Sequence, residues 1–383
     1  MPAARGSAAP DAEHRALLRD SVNDFVERGT TLARVRALRG AQPEFDRAVW
    51  RRMAEFGWLG ILVPERYGGM ELGLGEMAIV AEGLGRALAP EPLTAAAVLA
   101  ARAIVHGDNE DLKRLLLEAL VSGELVPALA WQERAGNLSS GAIDTRAESV
   151  ADGVRLNGVK RFVAGAAGAD GFVVSARSAQ GIAAYWVPAK TPGVELTLDA
   201  LADGRHYGTV RLTDVKIPLS DCVASGATAR AALTRACDEA TVIAGAELLG
   251  VMGKALDITL DYLKTRVQFG KPIGSFQTLQ HRSVDLYIQQ QLASATLDEC
   301  TGQIDDDCDE RTRSALASRA KARCADAALL ITRQAIQMHG AIGFTEDSDV
   351  GLFVKRAMTL SAWLGNSALH QRRYLKLAPA EQE

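Results

Sequence analysis

The chain has no basic excess, few prolines and no long apolar run. Lys and Arg total 43 against 47 Asp and Glu, a formal charge of -4 over 383 residues. Nucleic-acid binders usually show a basic excess or stripe, so no polyanion partner is expected. Only 12 prolines stand beside 35 glycines, with 48% hydrophobic and 23% charged residues. Collagenous, mucin-like and wholly disordered chains are thereby excluded. The five cysteines, Cys222, Cys237, Cys300, Cys308 and Cys324, are odd in number and irregularly spaced. No Cys-x-x-Cys pair or zinc-like Cys/His cluster occurs, so they read as reduced thiols of a cytoplasmic protein. The opening residues lack the apolar core of a signal peptide, and no stretch of about 18 apolar residues follows. Neither export nor a membrane partner is expected.

At roughly 150 residues per domain, the length allows two or three domains or one composite fold. The periodicity divides the chain into three. Leu17, Val22, Phe25 and Val26 fall at helical spacing, as do Val49, Met53, Phe56 and Leu59. From about Val126 to Ser225 the period changes to short runs separated by Gly, Asp, Asn and Pro, the pattern of antiparallel strands. Beyond it, Val242, Ala246, Leu249, Gly253, Leu256, Leu260 and Leu263 alternate at three and four residues, a bundle-core spacing. This helix is expected to start near Asp238. The expected fold class is α+β: a helical domain at 1–121, an antiparallel β domain at 122–225 and a four-helix bundle at 226–383.

Four fragments carry more than periodicity. They are Phe56-Gly57-Trp58-Leu59-Gly60 with Val63-Pro64-Glu65-Arg66-Tyr67-Gly68-Gly69; Leu156-Asn157-Gly158-Val159-Lys160; Arg266-Val267-Gln268-Phe269-Gly270; and Gln337-Met338-His339-Gly340-Ala341-Ile342-Gly343. In this order and spacing the chain resembles the flavin-dependent acyl-CoA dehydrogenases. Within them, Tyr262-Leu263-Lys264-Thr265-Arg266 with Gly274-Ser275-Phe276-Gln277 is similar to the pimeloyl-CoA dehydrogenase small subunit and to actinobacterial steroid dehydrogenases that form mixed tetramers.

The resemblance implies an oxidoreductase of fatty acid or steroid catabolism that dehydrogenates an acyl-CoA thioester between Cα and Cβ. Its cofactor would be FAD, its electron acceptor an electron-transfer flavoprotein, and its assembly a homo- or hetero-oligomer with a homologous chain. The chemistry needs a carboxylate base in a water-poor pocket and donors on the thioester oxygen. Where many relatives carry that base, this chain has Leu364; where another branch carries it, Ala240. Glu247 is the remaining candidate, the single charge in Thr241–Gly253. From the helix alone the plainer reading is an edge residue reaching solvent or an arginine. The subgroup's Ala-Glu-x-x-Gly pattern favours the base. Glu239 is the fallback, expected in a first helical turn.

For FAD, Arg266 matches the family arginine that approaches the pyrophosphate, with Gln268 and Phe269 beside it and Phe269 on the adenosine side. Gln337, Gly340 and Ala341 match the block receiving the other end of the cofactor; it is the family arginine that usually reaches FAD across a subunit interface. Phe162 and Ala164 match positions against the isoalloxazine, although Ala164 lacks the usual hydroxyl. Trp131 replaces part of a Thr-Glu-Pro-like turn, and Asn366 replaces a threonine that contacts FAD. The rival expectation is a non-catalytic partner subunit that completes a FAD site for a homologous chain. His206, His281, His339 and His370 share no metal spacing, and Asp305-Asp306-Asp307 reads as a solvated turn.

Overall fold

The computed structural model describes residues 8–29, 31–136, 138 and 143–378. Six helices come first: α1 (Ala8–Gly29), α2 (Leu32–Leu38), α3 (Arg47–Glu55), α4 (Leu74–Ala87), α5 (Ala101–Val105) and α6 (Glu110–Val121). A π-helical stretch, Thr94–Ala100, leads into α5. Such wide turns are rare and are frequent at functional sites.

Eight strands follow: β1 (Pro127–Ala130), β2 (Arg146–Val150), β3 (Gly153–Ala164), β4 (Gly171–Ser178), β5 (Gly181–Pro188), β6 (Val194–Ala200), β7 (His206–Ile217) and β8 (Cys222–Ser225). Their order is β6-β7-β3-β2-β4-β5-β8, with β1 pairing β4. The sheet is mixed rather than antiparallel throughout. β1 runs parallel to β4, and β2 meets β4 in parallel at Arg146 and Arg177. Alternation along a strand marks its buried face but not the direction of its neighbour.

The last part holds α7 (Gly226–Thr265), the short hairpin β9 (Val267–Gln268) and β10 (Lys271–Pro272), α8 (Gln277–Asp305), α9 (Glu310–His339), α10 (Val350–Ala362) and α11 (Ser367–Leu377). Helices α7 to α10 form the bundle, and α11 packs on α9. At its N-terminal end α7 begins twelve residues before the expected Asp238. Its early turns, Gly226-Ala227-Thr228-Ala229-Arg230-Ala231-Ala232, rest on alanine's helix propensity rather than on a leucine stripe. Glu239 therefore lies in mid-helix, not in a first turn.

One apolar cluster runs from the N-terminal helices through the bundle, and includes Trp131, Trp363 and Leu364. A second lies within the sheet around Phe172, Leu156 and Val210. Helices α4 and α7 cross almost backbone to backbone. A Cβ on Gly250 would sit 1.9 Å from Glu82 O, and one on Gly85 2.3 Å from Glu247 O. Only glycine allows that approach, and it presses the backbone of Glu247 against α4.

Candidate active site

Where the bundle meets the sheet, a narrow cleft of about 50 Å³ is lined by Thr94, Ala164, Tyr207, Glu247, Arg356 and Trp363, among others. It has room for a few waters. Glu247 reaches it from α7 and Arg356 from α10, while Asp203 and Arg205 come from the β6–β7 turn.

The contacts of Glu247 are asymmetric. Arg356 Nη2 and Nε both donate to Oε1, at 2.5 and 2.9 Å. Arg205 Nη1 lies 3.9 Å from the same oxygen. Among the described residues Oε2 accepts only from Thr94 Oγ1, at 3.4 Å. Arg356 Nη1 donates to Asp203 Oδ2 at 2.9 Å, and Arg205 Nη2 donates to Ala89 O at 2.7 Å. Two guanidiniums and two carboxylates thus neutralise each other out of water, where an unpaired charge would be costly. Burial draws Arg356 down, but Glu247 and Asp203 outweigh it and hold the guanidinium above its ordinary value. Burial, reinforced by Arg356, lowers Arg205.

Two other carboxylates line the cleft with partners of their own. Glu91 is held by Arg34, and Glu44 Oε2 lies 3.4 Å from His206 Nδ1. Glu239 faces a different cavity. Arg102 Nε and Nη2 donate to it at 2.5 and 3.2 Å, and Arg235 Nε at 2.8 Å. Burial pushes its carboxyl up, but Arg102 prevails and leaves it below the usual range.

Neither usual base position supplies a carboxylate. Ala240 is wholly buried in α7. Leu364 is buried in a left-handed turn with φ 55°, and its N–H has no acceptor among the described residues. The corner it occupies is fixed by Lys321, a buried lysine on α9. Its Nζ donates to Leu360 O at 2.9 Å, Trp363 O at 2.7 Å and Gly365 O at 3.1 Å, with Ser361 O at 3.3 Å. His370 Nε2 donates to Leu364 O at 2.8 Å. Burial takes the His370 imidazole down to about 3, so it is neutral.

On the sheet side, Phe162 occupies a bulge between Lys160 and Val163 with φ 58°, while Ala164 ends β3 at the cleft. Bulges re-aim side chains in this way beside functional sites. Lys160 is buried and donates to Glu133 Oε1 at 2.7 Å and Ser175 Oγ at 3.0 Å; its Nζ also lies 3.4 Å from Trp131 O. This ties the Trp131 segment to β3 next to the bulge. Asn366 is exposed, and its Oδ1 accepts from Leu369 N at 2.9 Å, capping α11. Its amide NH₂ alone is left for another partner.

The remaining matched residues lie far from the cleft. Arg266 is about 28 Å along α7 from Glu247 at the standard helical rise. Arg266, Gln268 and Phe269 are all exposed, Phe269 at 90%, on a hairpin whose turn gives Phe269 a φ of 54°. Gln337, Gly340 and Ala341 are exposed at the end of α9. These positions suit a dinucleotide flavin. Among the described residues the Arg266 guanidinium has no partner, and no atom lies within 4 Å of a Cβ built on Gly340 or Gly270. An unpaired cation beside open, side-chain-free backbone is the donor set a pyrophosphate requires. The described residues contain no cluster suited to a metal ion, and no helix long and apolar enough to cross a membrane.

Arg356, Arg205, Asp203, Thr94 and Lys321 escaped sequence reasoning. No local signal distinguishes them.

Comparison with known proteins agrees with this architecture. Residues 12–124 match the family model for the acyl-CoA dehydrogenase N-terminal domain, and 229–376 that for the C-terminal domain. The chain is 30% identical to the acyl-CoA dehydrogenase IpdE2 of Mycobacterium tuberculosis, over 90% of its own length and 91% of that relative's. A variant of the Tcur3481-Tcur3483 steroid ACAD superposes with a TM-score of 0.85 at 30% identity, covering 96% of this chain and 98% of that one. The ChsE4-ChsE5 complex from Mycobacterium tuberculosis does so with a TM-score of 0.85 at 28% identity, covering 99% and 100%. The chain belongs to the acyl-CoA dehydrogenase family and is an FAD-dependent oxidoreductase that introduces the α,β double bond of an acyl-CoA thioester.

Proposed function

We propose that Glu247 is the base of this reaction. The carrying observation is its asymmetry at the cleft: Oε1 is held by Arg356, while Oε2 has only a 3.4 Å contact with Thr94. Glu91 and Glu239 are engaged by arginines, and Glu44 faces His206 with both oxygens at 3.4 Å. FAD, when bound, supplies the acceptor for the hydride that leaves Cβ. The protein removes the α-proton at Glu247 Oε2, excludes water with Trp363 and Tyr207, and offers the free N–H of Leu364 to the thioester oxygen. Phe162, Ala164, Trp131 and Asn366 would bound the flavin ring, and Arg266, Gln268, Phe269, Gln337, Gly340 and Ala341 would bind the rest of the cofactor.

The two groups of cofactor residues stand far apart on one chain. We therefore assign each FAD to an interface between chains, and the assembly to an even-numbered oligomer in which a homologous partner can take one place. The steroid ACAD and the two-protein ChsE4-ChsE5 complex support a bulky, steroid-derived acyl group and a mixed assembly. Electrons would pass to an electron-transfer flavoprotein in the cytoplasm. The three-part division at 1–121, 122–225 and 226–383 belongs to the same proposal.

The vacant Leu364 and Ala240 positions leave one second reading, a chain that supports catalysis in a homologous partner, which the relatives named acyl-CoA dehydrogenases do not favour. One experiment separates the two. The FAD-loaded protein is mixed anaerobically with a panel of acyl-CoA thioesters while flavin absorbance is followed. Bleaching that disappears in Glu247→Gln, with FAD and thioester binding kept, supports the base. A parent that never bleaches without a homologous chain supports the second reading.

A further inference from the structure

Arg356 is a buried cation on α10 that belongs to none of the segments matched to FAD binding. It meets Glu247 with two nitrogens and Asp203 with the third. Asp203 lies on a turn of the sheet, Glu247 on α7 and Arg356 on α10, so the three side chains join separate elements. Their side chains are 4%, 10% and 9% exposed respectively, which leaves the guanidinium little freedom to exchange partners with water.

Resting on the reading of Glu247 as base, we propose that Arg356, braced by Asp203, is a positioning residue that commits Oε1 of Glu247 and thereby makes Oε2 the reacting oxygen. A carboxylate on an unbranched side chain otherwise turns about its last torsion, and either oxygen could face the cleft. Two N–H donors on one oxygen remove that freedom. Asp203 matters through Arg356. It holds Nη1, so the guanidinium plane stays fixed while the carboxylate reacts. Arg205 stands 3.9 Å from Oε1 on the same side, and adds charge there without touching Oε2. Thr94, Tyr207, His206 with Glu44, and Glu91 with Arg34 complete the groups around the cleft. None of them rivals Arg356 for Glu247.

In the step, the Cα–H bond breaks and an O–H bond forms on Oε2. FAD, when bound, would accept the hydride from Cβ and so be the oxidant, while the electron pair left at Cα forms the Cα–Cβ double bond and Glu247 holds the proton. Oε1 keeps its two donors throughout, so the carboxyl group transfers the proton without reorienting.

The test uses the FAD-loaded protein in the assembly in which it purifies. Anaerobic mixing with butyryl-, octanoyl- and cholyl-type side-chain CoA thioesters selects the fastest substrate. Arg356→Gln is expected to slow bleaching by about 10²-fold, the usual cost of a reacting group displaced by an ångström. FAD content and the affinity for a 3-thia acyl-CoA analogue should be unchanged. The long-wavelength band of that analogue's α-anion beside oxidised flavin should weaken. Arg356→Lys should recover part of the rate. Asp203→Asn should lose less than Arg356→Gln, and the double variant should be no slower than Arg356→Gln alone, because Asp203 acts through Arg356. A purely structural role would lower the melting temperature, leave bleaching per bound flavin unchanged and make the two losses add. Parental or faster bleaching in both Arg356 variants overturns the inference, faster bleaching marking Arg356 as a plug. Glu247→Gln is run alongside. If it bleaches at the parental rate, the base assignment falls. If it is inert while the Arg356 variants are unimpaired, the base stands and only the inference falls. A parent that bleaches with no thioester overturns both.

Discussion

Tyr262 and His339 stack with ring centroids 4.3 Å apart and planes 18° from parallel. The pair joins the C-terminal end of α7 to that of α9. Arg266 N donates to Tyr262 O at 2.8 Å, and Gly340 N donates to Gln337 O in the adjoining turn. The two segments proposed to hold FAD, distant in sequence, are therefore clamped into one surface at the end of the bundle.

Arg266→Ala is expected to lower flavin content and loosen the assembly together. Among the described residues the guanidinium has no partner, so little folding stability is expected to depend on it, and its proposed role lies across the interface. Flavin absorbance per chain and mass by light scattering report the two effects. Full flavin at unchanged mass would remove Arg266 from the cofactor site.

Glu239→Gln is expected to damage stability rather than chemistry. Glu239 receives hydrogen bonds from Arg102 and Arg235 and is 2% exposed. Removing the charge leaves Arg102 largely buried without its counter-ion, a change commonly costing about 3–5 kcal/mol. Chemical denaturation should show the loss, while bleaching per folded, flavin-loaded chain should match the parent. A stable variant with abolished bleaching would move the base from Glu247 to Glu239.

Much of this architecture is legible in the residues, because α7 repeats its apolar positions at three and four and the strands break at Gly, Asp and Pro. The parallel pairing of β1 with β4 is not, since neighbouring strands in either direction bury the same alternating face. Glu247 could be singled out as a lone charge in an apolar stretch. Its partners could not. Arg356 follows it by 109 positions, and Asp203 precedes it on a turn with nothing unusual in composition. Lys321 was equally hidden, because an interior lysine becomes explicable only when the carbonyls around it are known.

Lys321 also makes stability depend on pH. Burial brings its ammonium from the ordinary 10.5 down to about 7. Above about pH 7 the folded chain therefore gives up a proton that the unfolded chain keeps until about 10.5. Unfolding then takes up a proton, and stability rises with pH across this interval. The buried thiols Cys237, Cys300 and Cys324 are pushed up by burial and act oppositely as pH nears 9, so the window to examine is pH 7 to about 8.5. Lys321→Met should flatten the rise in melting temperature there. It should also lower the melting temperature throughout, because the carbonyls of Leu360, Trp363 and Gly365 lose their donor. An unchanged slope in that variant would show that Lys321 stays charged inside its carbonyl cage.

The α4–α7 crossing supplies the last prediction. A Cβ on Gly250 would lie 1.9 Å from Glu82 O and 2.8 Å from Arg86 N, both backbone atoms that no rotamer change can move aside. Gly250→Ala must therefore force the two helices apart. Glu247 sits less than one turn away with its own carbonyl against Gly85, so the displacement reaches the carboxylate beside Arg356. The expected outcome is a lower melting temperature together with slower bleaching per bound flavin. Gly302→Ala near the end of α8 is the control: a Cβ there meets nothing within 4 Å. It should leave bleaching unchanged and stabilise the chain by about 0.4–1 kcal/mol through lost freedom in the unfolded state. If Gly250→Ala folds with parental stability and rate, the crossing is softer than its contacts indicate and does not position Glu247.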